Sequence, residues 1–172
     1  MEVFIPYTDS SNFVLVLPEG KDFSFNAGDC CGAAKHDDIN DVEYLAHLKQ
    51  ELTQEFNFLH PSLTYGIGWN NGAFMLTYAL QEVPDIFKAI VLFGGYTHRL
   101  QEMVNADAGM MLHYSLDDTH TRICQNVTEK LCLIGVFLFY NSLTCGRRKS
   151  ISAQSMMLLV DLTMTSFPST KG

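Results

Sequence analysis

The feature that most constrains the fold is a glycine-bounded turn, GWNNG at residues 68–72, which lies between two regular segments. The apolar run at residues 63–67 precedes the turn and predicts a strand, and residues 73–83 follow it as a predicted helix. Glycines at both ends of the turn allow the strand and the helix to approach closely. The sequence therefore predicts a sharp strand-turn-helix connection with Asn70 at its tip.

Other segments alternate in the same way. Asn40 or Asp41 is placed to cap a helix that we expect to run to about Phe58 and to end at His60-Pro61. Near-continuous apolar strands that alternate with helices are typical of a parallel sheet. The sequence therefore predicts an α/β fold, with a mostly parallel sheet and helices on both faces. The predicted strands span residues 13–17, 63–67, 87–93 and 109–114.

Charge divides the chain into two parts. Residues 1–121 contain seventeen of the nineteen acidic residues, whereas residues 122–172 contain six of the eleven basic ones. We therefore predict a core over residues 10–121 and a divergent, poorly ordered tail over residues 122–172. The net charge of −8 argues against a nucleic-acid partner. The longest apolar run, residues 131–140, is too short to span a bilayer, which requires about 20 residues.

Several sequence blocks resemble the secreted esterases of the polyhydroxybutyrate depolymerase and feruloyl esterase group, which belong to the α/β-hydrolases. The resemblance implies a partial α/β-hydrolase fold over roughly residues 10–120. The blocks are FVLVLPEG at 13–20, FNAGDCCG at 25–32, NDVEYL at 40–45, the segment 68–95 that contains the turn, and, more weakly, HYSLDD at 113–118.

The resemblance also implies a candidate site. Asn70 occupies the position of the nucleophilic serine in the G-x-S-x-G pattern, and Asp117 matches the acid of the catalytic triad. The backbone amide of Asn71 matches one donor of the oxyanion hole. Trp69 lies beside the nucleophile position, where it either lines a binding pocket or serves only as structure. No cofactor and no metal are expected.

Four departures from the family pattern argue against esterase chemistry. The amide of Asn70 offers no oxygen that a base could activate as a nucleophile. No base is found, because the family's histidine follows the acid at a distance and the last histidine, His120, lies three residues past Asp117. No His-Gly oxyanion block precedes residue 13. The resemblance further implies a cysteine on the helix after the turn, where Gln81 stands, so that Cys30 and Cys31 lack that partner.

We therefore expect an α/β-hydrolase homologue without esterase activity, retained as a module that binds a small ester, phenolic or carbohydrate ligand. One alternative is an enzyme with relocated residues, such as Ser115 beside His113 or His120. Another is a fragment or mispredicted model of a secreted serine esterase acting on ester-linked plant cell-wall or polyester substrates. The family is mostly secreted, but no signal peptide opens this sequence, so no compartment is predicted.

Overall fold

The computed structural model describes residues 5, 13–95, 108–113 and 155–162. The elements are, in chain order, β1 (Phe13–Val16), a 3₁₀ turn (Lys21–Phe23), α1 (Ala33–His36), α2 (Asp41–Glu55), β2 (Leu59–Trp69), α3 (Asn71–Glu82), β3 (Ala89–Phe93), β4 (Gly109–His113) and β5 (Ser155–Leu162).

The strands of the described residues form one five-stranded sheet in the order β1-β5-β2-β3-β4. Strands β2, β3 and β4 are mutually parallel, which confirms the predicted α/β class. Strand β5 runs antiparallel to both of its neighbours, β1 and β2. The sheet therefore joins a parallel half to an antiparallel half, and β2 is the strand at which the direction changes.

The two long helices cover one face of the sheet. Alternate residues of β2 and β3 are buried on this face, including Gly66, Gly68 and Leu92. Helices α2 and α3 pack against β2 and against each other. The core between the helices and the sheet is apolar and includes Leu45, Met75, Leu76, Leu80, Ile90, Leu112 and Met156.

Helix α2 begins as predicted but ends earlier. The side chain of Asn40 accepts a hydrogen bond from the Glu43 backbone N–H at 3.2 Å, which identifies Asn40 as the N-cap. The helix stops at Glu55 rather than at Phe58, because Phe56 leaves the helical region with φ −110° and ψ 87°. The predicted C-terminal boundary was therefore wrong by three residues.

The sequence predicted that His60 and Pro61 end a helix. This prediction was wrong, because both residues lie within β2. Strand β2 extends beyond the predicted segment 63–67 at both ends, because it begins at Leu59 and includes Gly68 and Trp69, which the sequence assigned to the turn. The pairing of β2 with β5 is irregular between Leu59 and Thr64. A proline cannot donate to a strand ladder, and an irregular, exposed stretch is where a strand tolerates one.

In the antiparallel half of the sheet, β1 was predicted from the sequence and β5 was not. Strand β1 confirms the strand predicted at 13–17, but its residues are half-buried rather than buried because β1 pairs with β5 alone among the described strands. Strand β5 comes from the region beyond residue 122, for which no place in the sheet was predicted. It enters between β1 and β2, where Met156 is 2% exposed.

Within the described part of the chain, no helix is both long enough and apolar enough to cross a membrane.

Candidate functional site

Asn70 lies at the tip of the connection between β2 and α3, as predicted. Its backbone has φ 48° and ψ −115°, a left-handed conformation that non-glycine residues rarely adopt. The Asn70 N–H donates to the Phe93 carbonyl at 2.8 Å, and the Asn70 carbonyl accepts from the Ala73 N–H at 2.9 Å. The turn is thus a single strained residue, and strain of this kind is typical of residues held for function.

Glycines allow the backbone segments around Asn70 to come close together. A Cβ atom on Gly68 would lie 2.6 Å from the Gly72 carbonyl oxygen and 2.7 Å from the Ala73 Cα. A Cβ atom on Gly95 would lie 2.5 Å from the Asn70 carbonyl oxygen. The close approach that the glycine-bounded motif predicts is therefore present, and it involves the end of β3 as well as α3.

Asn71, the first residue of α3, is fully buried and holds a distant loop through its side chain. The Asn71 Oδ1 accepts the Phe25 N–H at 2.7 Å, and the Asn71 Nδ2 donates to the Phe25 carbonyl at 2.9 Å. One amide side chain thus satisfies both backbone groups of Phe25. This pair of bonds fixes the loop of residues 24–32 against the start of α3.

Three further side chains fix the same loop. The Asn26 N–H donates to the buried carboxylate of Asp41 at 2.6 Å, and the Asn26 Nδ2 donates to the Ile39 carbonyl at 3.0 Å. Burial raises the pKa of Asp41, and the hydrogen bond from Asn26 opposes this rise. The hydroxyl of Ser24 accepts the Ala34 N–H at 3.0 Å. The loop is therefore held from both of its ends.

Cys30 and Cys31 form a disulfide with each other. The resemblance implied a partner on the helix after the turn, and the structure instead pairs the two adjacent cysteines. The Asn71 Nδ2 lies 3.5 Å from the Cys31 sulfur and 3.9 Å from the Cys30 sulfur. The sulfurs therefore contact the same amide that holds Phe25.

Trp69 and Phe93 form an aromatic pair beside Asn70. Their rings stack with centroids 4.2 Å apart and planes inclined by 9°. The two residues face each other across the pairing of β2 with β3, at its carboxyl end. Trp69 is 37% exposed, so part of its ring is open to solvent. The alternation of buried residues along β2 places this pair on the face opposite α2 and α3.

At this turn, Asn70 and Asn71 can form hydrogen bonds with a ligand, but neither side chain is a nucleophile. The Asn70 side chain is exposed, and its amide provides one acceptor oxygen and two donor hydrogens. The Asn71 N–H, predicted as an oxyanion donor, belongs to the first turn of α3 and has no acceptor within that helix. The connection is thus suited to holding a polar group beside an aromatic surface.

The described part of the chain does not bring the remaining predicted residues together with Asn70. Asp117, His120 and Ser115 lie outside the described residues. His113 ends β4 in register with Phe93, so its backbone stands at the same edge of the sheet as Asn70. Among the described residues, no group of three or more histidine, cysteine, aspartate or glutamate side chains could hold a metal ion.

The buried side-chain role of Asn71 was missed from the sequence, where only its backbone amide was considered. One signal was available: a polar residue begins an otherwise apolar helix, directly after a turn that already contains one asparagine. Its partner, the backbone of Phe25, could not be identified from the sequence. A side chain that bonds to a backbone does not require any particular residue type at the position it contacts.

Comparisons of the chain with protein-family models, with curated proteins and with solved structures found no match. The fold and the geometry around Asn70 therefore carry the functional interpretation.

Proposed function

We propose that the chain is an α/β-hydrolase homologue without esterase activity that serves as a module for binding a small ester, phenolic or carbohydrate ligand. The observation that supports this proposal is the backbone of Asn70. A left-handed residue between a strand and a helix is the geometry in which hydrolases of this class present a nucleophile. Here the residue so presented is an amide.

An amide at this position cannot form an acyl-enzyme. The Asn70 amide oxygen is a poor nucleophile, and it carries no proton that a base could remove to convert it into an attacking group. The same amide can donate to a carbonyl and accept from a hydroxyl of a bound molecule. Loss of the nucleophile with retention of the turn therefore favours binding over hydrolysis.

The catalytic half of the proposal is tested with the purified chain and two substrates, p-nitrophenyl acetate and methyl ferulate. We expect no turnover above that of an Asn70→Ala variant. We also expect Asn70→Ser to remain inactive, because no histidine follows His120 in the sequence to deprotonate the new hydroxyl. Turnover in Asn70→Ser that Asn70→Ala lacks would show that a base is present and would contradict the proposal.

The binding half depends on Trp69 and its stacked neighbour Phe93. An exposed aromatic ring beside a hydrogen-bonding amide offers one apolar face and one polar contact to a planar phenolic ring or a sugar. The ligand class follows from this combination, because both ligand types have an apolar face bordered by hydroxyl groups.

Calorimetric titration with methyl ferulate and with a xylo-oligosaccharide measures this binding. Trp69→Ala should weaken the affinity about five- to thirtyfold, since loss of an aromatic contact with the ligand costs roughly 1–2 kcal/mol. The matched control is Phe58→Ala. Phe58 is also an exposed aromatic residue, but it precedes the opposite end of β2 and contacts Phe56. Equal losses in both variants would contradict a site at Trp69.

A further inference from the structure

We propose that Cys30 and Cys31 form a site of thiol–disulfide exchange whose redox state is transmitted to Asn70 through Asn71. The inference stands on the contacts of the sulfurs and does not depend on the proposed ligand. Both cysteines are half-buried, and their neighbours Asp29 and Gly32 are exposed, so a small thiol can reach the pair. Accessible disulfides are those that exchange with thiols in solution.

The position of this disulfide argues against a stabilising role. A disulfide stabilises a fold mainly by restricting the unfolded chain, and the effect grows with the length of the loop that it closes. Cys30 and Cys31 are adjacent, so their bond closes the shortest possible loop. The loop that contains them is already held by the bonds from Asn71 and Asp41. A role other than cross-linking is therefore favoured.

The contacts of Asn71 provide the coupling. The Asn71 Nδ2 contacts both sulfurs and the Cys31 carbonyl oxygen, the last at 3.5 Å, while it also donates to Phe25. Two separate thiols occupy more space than a bonded pair, so opening the disulfide changes the surroundings of a fully buried amide. Because Asn71 directly follows Asn70 in the chain, displacement of Asn71 reaches the strained turn.

The exchange is a balanced two-electron step with a dithiol as reductant. A thiolate of the dithiol attacks one cysteine sulfur, breaks the Cys30–Cys31 bond and forms a mixed disulfide. The second thiol of the reductant then attacks the reductant sulfur of the mixed disulfide. This step breaks the bond to the cysteine and releases the protein as a dithiol. The protein gains two electrons and two protons as two thiols, and the reductant leaves as a disulfide.

The experiment uses the full chain with Cys124, Cys132 and Cys145 replaced by serine, purified without reductant. Peptide mass mapping after alkylation should find Cys30 and Cys31 unlabelled before treatment with dithiothreitol and both labelled afterwards. Amide hydrogen exchange is then compared between the two states. We expect peptides covering residues 69–75 to lose protection on reduction, whereas peptides covering β3 keep theirs.

Two variants separate coupling from a general loosening of the fold. Asn71→Asp keeps the acceptor for the Phe25 N–H but lacks the Nδ2 donor. Amide hydrogen exchange at residues 69–75 should therefore be faster than in the wild type even before reduction, and dithiothreitol should not change it further. A Cys30→Ser/Cys31→Ser variant should not respond either. The proposal is overturned if both cysteines are alkylated before reduction, or if protection at residues 69–75 is the same in the two redox states.

Discussion

At the scale of single residues, two adjacent asparagines have opposite roles. The side chain of Asn70 is exposed and its backbone is strained, whereas Asn71 is fully buried and its amide is engaged with the backbone of Phe25. Asn70 is the residue available to a ligand, and Asn71 is the residue that fixes the surroundings. A substitution at Asn71 should therefore affect stability first, and one at Asn70 should affect recognition first.

Asp41 gives a prediction about pH. Burial raises its pKa, so the folded chain binds this proton more tightly than the unfolded chain does. The stability of the wild type therefore falls as the pH rises from below about 4 through the folded-state pKa. Asp41→Asn keeps an oxygen to accept the Asn26 N–H and removes the titration. Its stability relative to the wild type should increase over that pH interval.

Chemical denaturation at a series of pH values measures the effect. Thr53→Val is the matched control, because Thr53 lies in the same helix and its hydroxyl donates to the backbone carbonyls of Lys49 and Gln50 rather than to a titrating side chain. It should change the free energy of unfolding by the same amount at every pH. A constant difference between Asp41→Asn and the wild type across the interval would show that the raised pKa does not affect folding.

At the scale of elements, the close approach of β2 to α3 depends on Gly68. Gly68→Ala should destabilise the fold by about 2–3 kcal/mol, because its Cβ atom would meet backbone atoms of Gly72 and Ala73 that cannot move aside independently. Gly109→Ala in β4 is the control. Its Cβ atom would lie 3.3 Å from the Ala89 Cβ, and we expect a cost below about 1 kcal/mol.

Thermal denaturation of the two variants tests this comparison. A Gly68→Ala variant as stable as Gly109→Ala would mean that β2 and α3 are not in close contact at the turn.

The elements that sequence patterns identified are those with local signals. Helix α2 was found because Asn40 caps it and Leu45 lies on its apolar face, and α3 was found because it follows a glycine-bounded turn. Strand β5 was not placed, because its sequence SMMLLVDL does not alternate and its partners lie far away in the chain. Pairing over such distances depends on tertiary contacts that no local pattern records.

The candidate site was predictable in outline for the same reason. The motif at residues 68–72 identified Asn70 and Trp69, both of which lie at the turn. The contacts of Asn71 with Phe25 and with the cysteine pair connect segments forty or more residues apart, and only the folded chain brings them together.

At the scale of the whole molecule, β5 joins β1 to the rest of the described sheet. Strand β1 pairs with β5 and with no other described strand, and β2 pairs with β5 on one side and β3 on the other. A chain that ends at residue 154 should lose the cooperative thermal transition and should self-associate, because it would leave the edge of β2 unpaired. A chain that ends at residue 163 keeps β5 and is the control.

Circular dichroism during heating, combined with size-exclusion chromatography, measures both effects. Cooperative unfolding of a monomeric chain ending at residue 154 would show that β5 is dispensable.

The central place of β5 also determines when the sheet can be completed during synthesis. The strand that joins β1 to β2 leaves the ribosome after β1, β2, β3 and β4 have all emerged. Until then the unpaired edge of β2 is open to other polypeptides, and non-local pairing of this kind is slow to form. We therefore expect the nascent chain to depend on molecular chaperones more than a protein whose sheet is built from sequential neighbours.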